Sequence, residues 1–593
     1  MERKTIGKLS NDNHHIKYFK LNNYASPRIK YSLNRNKPGQ MTLLSLIYPS
    51  SYLSMVYVPI ECLNDNLSLK GVEDLLKSRI GPKLDQFKEE INLDEDYRRN
   101  YYREDYRWYY LAPLLLDCLD EKYKKESEDE NSNLEWYDCT DYVDNWFKQF
   151  KRTINDKKGF EAHINSLEET FNALVYYAKN KDEEVVPQYH KGSDRPIRKL
   201  GRKPADLLEV LVDMSIASPA NCIFRSYRRE LSSYPNLDLT IRSKENSPDF
   251  NANEELKEAL AEEMKKYAHL CSKIAFNFSY LMNTQEAMAA IDYIYSKSED
   301  AYWKNILTYS KQGNLQAVFD EYVHLLSNGL DKNNEERIGI IHERFLESMG
   351  LKTSPYDVDN FRNFKSRVND RKTRAMNLRT HFAVSFTKGA GNAIDTSRKT
   401  SVRDAFNSPF RPFVLASTSI GQEGLDFHNY CRRIVHWNLP SNPIDLEQRE
   451  GRINRFACLA IRQNIAERYG DIGDFKNNIW IEMFEEASKK EKEGKVSDLI
   501  PFWGLRDPEG LEGMEDKDMI KIERILPLYP FSIDEERYKR LIKILSVYRL
   551  TLGQARQEEL VESILNDGKE HDLDEFINLS PYYKNHSNLD MIN

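Results

Sequence analysis

The strongest constraint on this chain lies between Phe413 and Arg455, where two apolar runs alternate with two polar signatures. Phe413-Val-Leu-Ala-Ser-Thr-Ser419 is a short apolar run that ends in hydroxyls. That pattern predicts a buried parallel strand with polar groups at its C-terminal end, the end at which open α/β sheets bind ligands. In Ile420-Gly-Gln-Glu-Gly-Leu-Asp-Phe427, Gly421 and Gly424 allow a tight loop with close backbone approach, while Glu423 and Asp426 supply carboxylates. Arg433-Ile-Val-His-Trp-Asn-Leu439 reads as the next strand, broken by Pro440 and Pro443. Asp445-Leu-Glu-Gln-Arg-Glu-Gly-Arg-Ile-Asn-Arg455 then opens as a helix and spaces Arg449, Arg452 and Arg455 three apart, near one face if the helix continues. Clustered guanidiniums suit phosphoryl transfer, because their forked hydrogen bonds stabilise charge spread over the γ-phosphate oxygens.

These residues carry a resemblance. Ser417-Thr-Ser-Ile-Gly-Gln-Glu-Gly-Leu-Asp426 resembles motif V of superfamily 2 helicases, and Gln448-Arg-Glu-Gly-Arg-Ile-Asn-Arg455 resembles motif VI, QRxGRxxR. Asn438-Leu-Pro-Ser-Asn-Pro-Ile-Asp-Leu-Glu-Gln448 resembles the approach to motif VI in chromatin-remodeller-like and bacterial polymerase-recycling translocases. Within that branch the chain is similar to large bacterial helicases found among phage-defence genes. Leu526-Pro-Leu-Tyr-Pro-Phe-Ser532 and Tyr548-Arg-Leu-Thr-Leu-Gly-Gln-Ala-Arg-Gln557 resemble the same group. With Arg403-Asp-Ala-Phe406 and His381-Phe-Ala-Val-Ser-Phe386 the likeness covers residues 381–455. It implies an α/β fold, a RecA-like second helicase lobe around a mainly parallel sheet, embedded in a largely α-helical protein. It also implies ATP as the nucleotide with Mg2+, and DNA or RNA as the track. Arg452 and Arg455 match the arginine-finger positions. Gln448 and Arg449 match positions that shape the nucleotide cleft. Gly424 and Asp426, with Glu423 beside them, match positions that contact nucleotide or couple its state to the nucleic acid. Thr418 and Ser419 match positions that contact a strand phosphate.

A working motor closes ATP between two lobes, and the first supplies a P-loop and an acidic box that holds magnesium. No GxxxxGK[ST] occurs anywhere in this sequence. Asp320-Glu-Tyr-Val-His324 has the letters of an acidic box but sits in an amphipathic helical pattern, and reads as the surface of a helix. The expectation is therefore half of an ATPase, with magnesium held mainly by a first lobe outside this chain. Three explanations stay open: a partner protein carries the first lobe, the sequence is the C-terminal part of a longer protein, or the chain is a silent binding subunit. Retention of Arg452 and Arg455 favours the first two, since a scaffold has no need of those guanidiniums.

The remainder divides into an N-terminal mixed or helical region (1–204), a helical region (205–380), the lobe (381–480) and a C-terminal helical region (481–593). Leu43–Tyr48 and Leu53–Pro59 suit either short strands or buried helix. Tyr97–Tyr110 interleaves aromatics with Arg98, Arg99, Arg103 and Arg107; packed helix is the favoured reading, base stacking the alternative. Glu121–Asn133 and Lys181–Lys203 read as solvated loops, the latter ending in a basic cluster. Ala205–Leu351 and Ile520–Leu565 carry helical periodicity. Although the net charge is −8, Arg362–Arg379 is a local basic stretch in which Arg367, Arg371, Lys372 and Arg374 suit phosphate contacts or a solvated helix equally. Seven scattered cysteines form no CxxC pair, and there is no HExxH, which argues against a disulfide framework or a zinc site. With no long apolar run and no secretory leader in view, the cytoplasm is the expected location and no membrane partner is expected.

Overall fold

The two apolar runs that periodicity left open near the N-terminus are helical, and their partners explain why. Leu44–Ile47 forms α1 and Ser51–Val56 forms α2. Ser50 caps α2, its Oγ accepting from the Leu53 amide at 3.1 Å. The same hydroxyl donates to Asp117 Oδ1 at 2.8 Å, and the Tyr52 amide donates there too at 2.8 Å. Tyr48 Oη donates to Asp117 Oδ2 at 2.5 Å. One buried carboxylate thus organises both helices.

The computed structural model describes residues 28–29, 43–90, 104–128, 134–154, 160–180, 202–232, 252–331, 336–350, 354–358, 365, 368, 376–380, 402–416, 426–491, 499–505, 519–527, 529, 531–550, 559 and 561–562. It divides into two compact units, Met1–Met349 and Gly350–Asn593. After α1 and α2, the first unit contains α3 (Pro59–Asn64), α4 (Leu69–Glu90), α5 (Trp108–Glu128), α6 (Asp141–Thr153) and α7 (Phe160–Lys179). It continues with α8 (Leu207–Ala217), α9 (Pro219–Leu231), α10 (Ala252–Met282), α11 (Gln285–Ile294), α12 (Tyr302–Gln312), α13 (Leu315–Ser327) and α14 (Arg337–Met349). Its core is aromatic: Trp108, Trp136, Trp146, Phe150, Phe224 and Phe319 are all buried. Pro113 inside α5 has no amide to donate to the Tyr109 carbonyl. Ser45 Oγ on α1 donates to that carbonyl instead, at 3.2 Å.

Several expectations need correcting here. Glu121–Glu128 is the last part of α5 rather than a loop. The charges that suggested solvation pair one helical turn apart, Lys124 with Asp120 at 2.7 Å and Lys125 with Glu121 at 3.3 Å. Asp320 does lie on a helix, α13, but not at the surface. It accepts from Ser226 Oγ at 2.6 Å and Gln316 Nε2 at 2.8 Å, and pairs with Arg229 at 2.5 Å. In the described part of Tyr97–Tyr110, Trp108, Tyr109 and Tyr110 are buried and Arg107 pairs with Asp105 at 2.6 Å, while Tyr106 is exposed. Lys203 donates to the Leu84 carbonyl at 2.9 Å and covers the Trp108 ring; Lys181–Gly201 lie outside the described residues. Among the described residues no single helix is long and apolar enough to cross a membrane, and the bent pair α8–α9 that passes by composition is largely buried in the first unit.

The second unit mixes short strands with helices. β1 (Ser354–Val358) pairs antiparallel with β2 (Met376–Thr380), which places Arg379 in a strand. β3 (Arg433–Val435) pairs parallel with β4 (Glu523–Ile525). Its longer described helices include α15 (Pro443–Glu450), α16 (Leu459–Tyr469), α17 (Ile479–Glu491) and α18 (Asp534–Leu550). Of the strand expected over Arg433–Leu439, only Arg433–Val435 is formed, as β3. The expected strand at Phe413–Ser419 is not seen in its described part, residues 413–416. Those residues have no ladder partner among the described residues, and Phe413 and Val414 are about four-fifths exposed (80% and 83%). Only Leu415 packs, against the small core of Phe406, Phe427 and Ile453. The C-terminal stretch is likewise not all helix, since residues 523–525 supply β4.

Candidate functional site

The site forms where α15 ends. Asn442 caps this helix, its Oδ1 accepting from the Ile444 amide at 2.9 Å, and Pro443 occupies the first turn, where a missing amide costs nothing. Gly451 closes it: its amide donates to the Glu447 carbonyl at 2.7 Å, and a Cβ there would meet that carbonyl at 3.2 Å. The helix therefore stops before Arg452, and Arg449, Arg452 and Arg455 do not share one helical face as their spacing suggested. Arg449 lies in the last turn and donates to the Asn438 carbonyl at 3.0 Å. Gln448 lies on the exposed side of the same turn.

Beyond the helix the chain turns so that both remaining arginines meet Asp426. Arg455 Nε donates to Asp426 Oδ1 at 3.1 Å, and its terminal nitrogen is also 3.1 Å away. Arg452 approaches the same oxygen at 3.8 Å. The backbones are joined as well, the Phe427 amide donating to the Arg452 carbonyl at 2.8 Å. Asn407 Nδ2 donates to the Asp426 carbonyl at 2.7 Å and so fixes the strand-side end. Arg452 Nε is buried and has no hydrogen-bond partner among the described residues. The Arg455 pair remains open to solvent, Asp426 being 48% exposed and Arg455 39%, while Arg452 is more enclosed at 19%. His428 lies beside them. Burial holds its imidazole below the ordinary range, Asp426 opposes that shift, and Arg462 and Arg455 add to it.

Two further groups went unnoticed in the sequence. Arg462 is wholly buried; it donates to the Ala457 carbonyl at 2.8 Å and to the Asn429 carbonyl, clamping the loop on either side of the motif. Glu450, at the first variable letter of QRxGRxxR, accepts from Arg524 Nε at 2.5 Å and from a second Arg524 nitrogen at 2.6 Å, and lies 3.2 Å from His436 Nε2. Burial works to raise the Glu450 carboxyl, but its hydrogen bonds with His436 and Arg524 outweigh that and hold it below the usual range. No local pattern marks either residue, since each is defined by partners distant in sequence. Thr418, Ser419, Glu423, Gly424, Arg367, Arg371, Lys372 and Arg374 lie outside the described residues. Among the described residues no group of three or more His, Cys, Asp or Glu side chains is arranged to hold a metal.

Compared with known proteins, residues 339–457 match the helicase conserved C-terminal domain, a span that contains Asp426, Arg452 and Arg455 and ends at Ala457. The match supports a helicase C-terminal lobe and helicase-type function for this stretch. No curated protein matches the chain, and no solved structure does.

Proposed function

We propose that this chain supplies the second-lobe half of a nucleic-acid-dependent ATPase, a helicase or translocase whose P-loop and acidic box come from a partner protein or from sequence outside this chain. The observation that carries this reading is the convergence of Arg452 and Arg455 on one half-exposed carboxylate within the helicase-matched span. An exposed ion pair is worth only about 0–1 kcal/mol. Charge-assisted bonds to phosphate, at roughly 1.5–3 kcal/mol each, exceed that. The Asp426 pairing is therefore cheap to exchange: it keeps the guanidiniums extended and ready without trapping them. The two arginines would donate to the γ-phosphate oxygens as charge builds there, and Arg452 Nε is a donor still unspent among the described residues. Gln448 and Arg449 would line the cleft, and Glu423 and Gly424 would join Asp426 in coupling nucleotide to track. Magnesium would be held by the first lobe.

Thr418, Ser419, Arg367, Arg371, Lys372 and Arg374 are the proposed phosphate contacts on DNA or RNA. Replacing those four cations with Ala should flatten the salt dependence of duplex binding by a slope of about 3–4; an unchanged slope removes them from the interface. The motif resemblance further suggests bacterial phage defence, in the cytoplasm, as the setting.

The decisive assay is ATP hydrolysis by this chain alone and mixed with the product of the neighbouring gene, each with and without nucleic acid. Activity confined to the mixture, and lost on Arg452→Ala or Arg455→Ala, supports the reading. Inactivity throughout, with nucleic-acid binding intact, leaves a silent binding subunit as the better account.

A further inference from the structure

We infer that Arg524 is a positioning residue for the Arg452–Arg455 turn, so that the C-terminal segment carrying β4 and α18 forms part of the frame of the nucleotide site. This rests on the split-motor reading. It concerns residues beyond the helicase-matched span, which ends at Ala457.

Several ties join the segment carrying β3 and α15 to the one carrying β4 and α18. β4 lies parallel to β3 with Arg524 opposite Ile434, and the His436 amide extends the pairing by donating to the Ile525 carbonyl at 3.0 Å. Arg524 grips both oxygens of Glu450 in a forked pair, a geometry that fixes orientation as well as distance. Tyr538 on α18 holds the other side of Arg524, its hydroxyl accepting from the guanidinium at 2.6 Å. Arg549, also on α18, pairs with Glu447 one turn earlier on α15.

Glu450 is the last residue of α15, and its own carbonyl accepts from the Ile453 and Asn454 amides, each at 3.0 Å. Those bonds define the turn that presents Arg452. The Glu450 side chain is thus held by β3 through His436 and by β4 through Arg524, while its backbone shapes the arginine turn. Gly451, between Glu450 and Arg452, has no side chain with which to brace the turn by itself. Releasing Arg524 should let the turn drift, and a displacement of about 1 Å in a catalytic group can cost roughly 10²-fold in rate.

The test uses the full chain carrying Arg524→Gln, with Arg524→Lys as the conservative control. Hydrogen exchange of the chain alone should show amides 451–455 exchanging about tenfold faster in Arg524→Gln, with α16 and α17 unchanged and the Lys variant intermediate. In the ATPase mixture, kcat should fall by about 10–100-fold with KM for ATP unmoved. Wild-type exchange at 451–455 in Arg524→Gln, or a change in KM alone, would overturn the inference. An inactive wild-type mixture would instead strike the split-motor reading, and the exchange measurement would still decide whether Arg524 holds the turn. If Arg524→Gln loosens α16 and α17 as well, the residue is merely structural and the inference fails.

Discussion

Two arginine clusters, one in each unit, are held differently, although the second unit also has buried arginines such as Arg462 and Arg468. In the first, Arg337 and Glu230 face each other with only 5% of either side chain exposed, and Arg337 also donates to the Leu330 carbonyl at 2.8 Å. Arg225 in the same unit is wholly enclosed, its nitrogens donating to Gln316 at 2.6 Å and to the Ser215 carbonyl at 2.8 Å. In the second unit, Arg452 and Arg455 face a carboxylate that is half exposed. A buried guanidinium is committed to the fold, because freeing it leaves an uncompensated charge away from water. One as open as Arg455, 39% exposed, can exchange its partner for a ligand at little cost, and Arg452, 19% exposed, shares that half-exposed carboxylate while being more enclosed itself. The contrast separates arginines that hold the protein together from arginines available for chemistry.

The sharpest way to break this contrast is to remove one arginine of each kind. Arg452→Ala or Arg455→Ala should cut ATP hydrolysis in the reconstituted mixture by about 10³–10⁵, with the unfolding midpoint of the chain barely moved. Retained activity would place these residues on the structural side. Arg337→Met should do the reverse. It leaves Glu230 buried without its main partner and should cost roughly 3–5 kcal/mol, read by hydrogen exchange of α9 and α14, while any ATPase activity per folded molecule stays the same. A stability loss under about 1 kcal/mol would mean that the burial of this pair does not decide its worth.

The same contrast explains what could be read before the structure. The helix α13 is legible because its apolar residues repeat at the helical period and Leu315, Phe319, Tyr322 and Val323 are then buried, whereas α8 is buried on nearly all sides rather than on one face. The arginine spacing of motif VI was legible as chemistry. Where its helix stops was not, because that depends on Gly451 and on the Phe427–Arg452 backbone bond. β4 escaped notice because three residues carry no period, and its partner β3 is far away in sequence. The last turns of α5 were misread because charges at i,i+4 spacing look the same in a solvated loop until they pair. Local pattern reveals elements that stabilise themselves. Elements defined by a distant partner, such as Glu450 with Arg524 or Asp117 with α1 and α2, leave no local trace.

Asp117 supplies the next test, on the buried side. Burial lifts its carboxyl to about 7, against hydrogen bonds from Tyr48, the Tyr52 amide and Ser50 that favour the ionised form. The folded state therefore holds a proton that the unfolded chain has already released above about pH 4. The contribution of this group to stability is fully present below about pH 4 and is lost, by on the order of a few kcal/mol, as the pH rises to about 7. Asp117→Asn should remove that slope, as followed by urea unfolding of the first unit at stepped pH. A slope that survives the substitution belongs to another group.

The smallest expected effect sharpens the contrast from the exposed side. Asp426→Asn keeps the shape of the side chain and removes its charge, so the Arg455 and Arg452 pairs lose their Coulomb attraction. Because this carboxylate is 48% exposed, the loss should be no more than about 1 kcal/mol. The backbone bond from Phe427 to the Arg452 carbonyl and the Asn407 bond to the Asp426 carbonyl do not depend on that charge. Thermal unfolding should therefore scarcely change. Raising the salt concentration should narrow the difference further, since exposed pairs are screened while a buried pair such as Arg337–Glu230 is not. A loss of several kcal/mol would mean that Asp426 holds the second unit together as Glu230 holds the first, and that its arginines are not free to turn toward a phosphate.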